Sequence, residues 1–137
     1  MPYTINWYIE NEIIYCRYSG ECTSDELRNA ILAMNDMIDS SPRLLVHHIN
    51  DVRDVIVPIS LRDTLKTVRE VGTHDRLGWS ITVGEDSAFI KMVIGISSSL
   101  LKARARTVDT IDEAQAFIKS MDSTLSWDQV KESVIIR

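Results

Sequence analysis

Asp51 and Asp54 are the carboxylates best placed to do chemistry. They follow residues 44–49, a run that is apolar apart from His47 and His48, which is the pattern of a central strand covered on both faces. The carboxyl ends of such strands are where open α/β sheets place their ligand crevices. Two carboxylates there could hold a cation or divide the work of acid and base, with His48 as a possible third member and Ser60 further along the same crevice. The competing reading is a turn, because Asp side chains bond nearby backbone N–H groups and Arg53 lies between the two as a counter-charge. The turn reading is preferred.

The other candidates have simpler explanations. His47 and His48 are neighbours on a strand, so they point to opposite faces and cannot grip one metal together; one packed, hydrogen-bonded histidine and one turned toward a helix are expected. His74, beside Asp75 and Arg76, is read as a solvated loop residue. Lys102, Arg104 and Arg106 form the one basic cluster, which helix-end and sheet-edge cations explain as well as an anionic partner does. Gly-x-Gly-x-x-Gly, Walker A, Gly-x-Ser-x-Gly and His-Glu-x-x-His patterns are all lacking, so nucleotide binding and acyl transfer lose their support. No cofactor or metal is expected.

The elements that must position these residues can be read from periodicity. Alternation over residues 3–9 and a β-rich run over 13–18 predict an N-terminal hairpin. Thr23 and Glu26 form a capping box ahead of Leu27, Ala30, Ile31, Met34 and Ile38, giving a helix over 24–39. Pro58, then Ser60 with Asp63, open a helix over 59–71 with Leu61, Leu65 and Val68 on one stripe. A strand at 79–83, a helix from Asp86 to about Lys102, a strand at 104–108 and a Thr110–Glu113 box opening a helix over 111–121 complete the order ββαβαβαβα. Strands alternating with helices predict an α/β domain with a mixed, mostly parallel five-stranded sheet.

Bulk properties agree with one such domain. The 137 residues are 45% hydrophobic and 26% charged, and 15 Lys plus Arg against 20 Asp plus Glu give a formal charge of -5. That balance disfavours nucleic acid and anionic bilayers. Cys16 and Cys22 match no zinc or redox spacing and read as ordinary thiols of a reducing compartment. Residues 1–10 lack the features of a secretory signal, and the longest apolar stretch, 88–96, is too short to span a bilayer. A cytoplasmic protein is expected.

Three stretches carry a family resemblance: Leu44-Leu45-Val46-His47-His48-Ile49-Asn50-Asp51-Val52, Val57-Pro58-Ile59-Ser60-Leu61 and Arg106-Thr107-Val108-Asp109-Thr110-Ile111-Asp112-Glu113-Ala114. With the order of elements, they make residues 3–122 resemble the STAS domain of anti-sigma-factor antagonists and sulphate-transporter cytoplasmic regions. The last stretch looks most like the sporulation-antagonist branch. The resemblance implies a regulatory, protein-binding fold in which phosphorylation at the cap of the second helix switches partner binding. Here that segment reads Val57-Pro58-Ile59-Ser60, Pro58 falls on the acceptor position, and Ser60 reads as a helix cap. The phosphoswitch is not carried over.

The segment 88–101 bears two apolar stripes, Phe89, Val93, Ile96 and Leu100 on one and Ile90, Ile94 and Leu101 on the other. One stripe covers a sheet; the second needs the C-terminal extension 123–137, a second subunit, a lipid or other apolar ligand, or a membrane surface. Ser126 and Gln129 offer a weak capping box there, followed by Trp127, Val130 and Val134. Ile90, Ile94, Leu101 and Trp127 are therefore the candidate interaction surface. The reading is a non-catalytic interaction module that docks to itself, as a homodimer, or to a cytoplasmic partner. Its alternatives are a carrier of a small apolar molecule or lipid and, third, an enzyme using Asp51, Asp54 and His48.

Overall fold

A computed structural model describes residues 3–84 and 104–135. Strands β1 (Tyr3–Ile9) and β2 (Ile13–Glu21) are followed by α1 (Ser24–Ser40), β3 (Val46–Val57), α2 (Leu61–Val71), β4 (Leu77–Val83), β5 (Ala105–Val108) and α3 (Ile111–Met121). Two short 3-10 turns, Trp127–Gln129 and Glu132–Val134, close the described chain. The sheet runs in sequence order from β1 to β5; β1 is antiparallel to β2 and every later pairing is parallel. The α/β class and the mixed, mostly parallel five-stranded sheet of the sequence reading are both observed, with β3 in the middle. The helix expected from Asp86 to Lys102 lies outside the described residues. Among those described, no helix is long and apolar enough to cross a membrane.

Local chemistry explains the boundaries. Asn11 takes a left-handed φ of 66° in the β1–β2 turn, a conformation Asn tolerates, and Glu12 N–H donates to the Ile9 carbonyl at 2.9 Å. The hydroxyls of Thr23, Ser60 and Thr110 accept from the backbone N–H of Glu26, Asp63 and Glu113 at 3.3, 3.1 and 3.1 Å, as N-caps do. Glu113 returns the favour one residue early, accepting from Asp109 N–H at 3.1 Å.

Alternation along β2 and β3 builds a core on each side of the sheet. Ile14 and Val46 face α1, where they meet Met34 and Ile38. Ile13, Tyr15 and Ile49 face the opposite side, where Ile81, Val83, Val108, Ile111, Ala114, Ile118 and Leu125 join them. Trp127, Val130 and Ile135 pack against that second core, and Lys131 N–H donates to the Tyr8 carbonyl on edge strand β1 at 2.8 Å.

Two expectations need correction. The central strand does not cover 44–49: it begins at Val46, leaving Leu44 88% exposed, and continues through the predicted turn to Val57. The strand persists because β2 also runs on, to Glu21, and pairs Arg17 with Asp51, Ser19 with Asp54 and Gly20 with Val55 across two irregularities. Helix α2, expected to lay Leu61, Leu65 and Val68 inward, buries only Thr67, and it packs chiefly on α1.

Gly78 on β4 lies against His47: a Cβ there would stand 2.5 Å from the ring Nδ1 and 2.8 Å from Cε1. His47 Nδ1 also accepts from the Trp79 N–H at 3.0 Å, so the ring cannot retreat without losing that bond. Gly78→Ala should therefore cost about 1–3 kcal/mol, read as a lowered melting temperature; an unchanged melt would show that the ring has room to move.

Candidate functional site

Asp51 sits on β3 with its side chain 1% exposed. Tyr15, its neighbour on β2, donates its hydroxyl to Oδ2. Arg53 supplies three more donors: its backbone N–H at 3.1 Å and Nε at 2.9 Å, both to Oδ1, and Nη2 at 2.7 Å to Oδ2. Burial pushes the Asp51 carboxyl up, but the bonds from Arg53 and Tyr15 outweigh it and hold the group below its ordinary value. Burial and the Asp51 charge push the Tyr15 hydroxyl up to about 12. Such a carboxylate stays ionised and fully engaged, which suits a structural anchor better than a proton carrier.

Asp54 is held separately. Its side chain, 48% exposed, pairs with Arg17 of β2. The two candidate carboxylates are thus each taken by a different cation rather than brought together as a pair. Arg53 is the counter-charge the sequence suggested, although both Asp residues lie in a strand, not a turn. Ser60 is exposed and caps α2 after β3 has ended.

The histidines divide as their alternation requires. On the α3 side, His47 Nδ1 accepts from Trp79 N–H, which places the ring proton on Nε2, 2.9 Å from Asp122 Oδ2. Burial would raise Asp122, but bonds from Thr124 and His47 bring it down to about 2. Arg43 also reaches Asp122, at 3.3 Å, so this carboxylate ties the loop before β3 to the end of α3. On the α1 side, His48 is buried with Nδ1 3.3 Å from Ser80 Oγ, and burial lowers it from 6.5 to about 4. His74 is not simply solvated: Nε2 lies 2.7 Å from Asp39 Oδ1, and Nδ1 accepts from Arg76 N–H at 3.0 Å.

Trp127, from the candidate interaction surface, packs on its own domain, edge-on to Tyr8 with centroids 6.4 Å apart and with Lys119 Nζ 4.8 Å above its ring. Ile90, Ile94 and Leu101 lie outside the described residues. Cys16 and Cys22 are free thiols, both pushed up by burial, Cys16 to about 12. Among the described residues no group of three or more His, Cys, Asp or Glu side chains could hold a metal ion.

Sequence reading missed Tyr15, Asp122 and Arg76. The Arg76 guanidinium donates to the carbonyls of Ile38, Ser41 and Arg43 at 2.6–2.8 Å, gathering the end of α1. A tyrosine inside a β-rich run, an Asp just past a helix and an Arg in a loop give no signal that they converge on residues 33–75 positions away. Neither a protein-family model nor a curated protein matches the chain.

Proposed function

We propose that the chain is a non-catalytic, STAS-like interaction module that works in the cytoplasm by docking to a second copy of itself or to a protein partner. The observation that carries this reading is the apolar exit of β3, where Ile56 is 79% and Val57 48% exposed, immediately ahead of Pro58, Ile59 and the cap Ser60. Covering such a side chain contributes about 1.5–3 kcal/mol, so the pair offers an anchor for a partner surface. This is also the segment in which the STAS resemblance puts regulated binding, here with Pro58 where an acceptor hydroxyl would stand. The engagement of Asp51 by Tyr15 and Arg53 weighs against the acid–base alternative.

Light scattering on the intact protein and on an Ile56→Glu/Val57→Glu variant tests the reading. The intact protein should run as a dimer and the variant as a monomer with the parent's melting temperature. An intact monomer, or a variant that dimerises as tightly as the parent, removes this surface from self-association. Ile94→Glu, measured alongside, asks the same of the second stripe of segment 88–101.

A further inference from the structure

The outward faces of α1 and α2 carry opposite charge. On α1 the exposed side chains are Asp25, Asn29, Leu32, Asp36 and Asp39, with Ser40 at the end. Their spacing of four, three, four and three residues puts the first five on one stripe. At its middle Leu32 is 47% exposed. On α2 the exposed Arg62, Lys66 and Arg69 repeat the same spacing. These three cations stand out in a chain of formal charge -5. Among the described residues none of Asp25, Asp36, Arg62, Lys66 and Arg69 belongs to an ion pair. Glu70, next to the basic stripe, is taken by Arg28 of α1, and Asp39 by His74. Asp63 is the other exposed acid of α2.

The two stripes are neighbours, because α1 packs on α2. Each helix joins strands that pair in parallel, β2 to β3 and β3 to β4, so the two run in the same direction. A twofold rotation about an axis through this face lays each helix antiparallel on the other kind: acidic α1 meets basic α2 twice, by one operation. The basic stripe, about 10 Å long, falls within the about 16 Å from Asp25 to Asp36. With 17 residues in α1, the face is about 25 Å long and two helix widths across. That offers about 500 Å² per copy, near the about 1,000 Å² total at which specific interfaces begin. Resting on the self-docking reading above, we propose that two copies of the chain meet through this face, the acidic stripe of each against the basic stripe of the other, with Leu32 at the centre. The apolar exit Ile56–Val57 leads through Pro58 into the amino end of the basic helix.

Sedimentation of the full chain tests the pairing. Raising sodium chloride from about 50 mM to about 0.5 M should weaken the dimer about tenfold, because exposed charges are screened. Arg62→Glu/Lys66→Glu/Arg69→Glu and Asp25→Lys/Asp36→Lys should each be monomeric, since like charges then face each other. Mixed together they should form a heterodimer, because both contacts are again between opposite charges. An intact protein that is monomeric overturns this interface together with self-docking. A dimer that ignores salt and both charge reversals overturns this interface alone and leaves self-docking to another surface. Monomeric variants that do not pair when mixed also overturn it, and the salt response of the parent decides if a variant does not fold.

Discussion

Asp51→Ala should lower the melting temperature by about 10–20 °C. The substitution removes the acceptor of Tyr15 and of three Arg53 donors in one step. Breaking a buried, hydrogen-bonded charge pair costs about 3–5 kcal/mol, a large share of the about 5–15 kcal/mol that holds a domain folded. For a chain of this size each kcal/mol moves the melt by about 3–5 °C. Asp51→Asn keeps the volume and one acceptor oxygen but turns an NH2 toward existing donors, so it should fall in the same direction by less. Asp54→Ala is the contrast: its exposed pair with Arg17 is worth about 1 kcal/mol or less. If both alanine variants melted within about 2 °C of the parent, Asp51 would not be an anchor and the acid–base reading would regain its ground.

Mild acid should destabilise the protein through His48. Its ordinary value of 6.5 falls to about 4 in the fold, so the unfolded chain takes up a proton that the folded chain refuses. The stability associated with neutral His48 is complete above pH 6.5 and is lost progressively as pH falls toward 4. Over that interval the loss is about 3 kcal/mol, from about 1.4 kcal/mol per unit. Asp51 and Asp122 act in a lower window: both are held below the ordinary 3.8, so their contributions are present above it and fade only below, for Asp122 down to about 2. Chemical denaturation between pH 7 and 4.5 of the parent and of His48→Gln separates the two. The parent should lose stability across this range and the variant should be much flatter; parallel curves would assign the acid sensitivity elsewhere.

The features legible in the residues alone are local and periodic. Period-two alternation identified the hairpin, Thr23, Ser60 and Thr110 marked the starts of helices, and the apolar run around Val46 and Ile49 marked the centre of a parallel sheet. These signals are legible because each depends on residues a few positions apart. His47 and His48 were separable for the same reason, since adjacent strand residues must face opposite ways.

Tertiary structure decided the length of β3 and everything that follows from it. Residues 51–54 are polar enough to read as a turn, yet β2 continues beside them, and Arg17 and Tyr15 meet the two carboxylates across the pairing. Whether an Asp ends a strand or is held within it depends on a partner 36 residues away, which no local pattern encodes. The same holds for His47, whose proton is fixed by Trp79 and Asp122, and for Trp127, which packs on Tyr8. The charged stripes of α1 and α2 become neighbours only once β2, β3 and β4 pair in parallel, because two crossovers of one hand then lay their helices side by side.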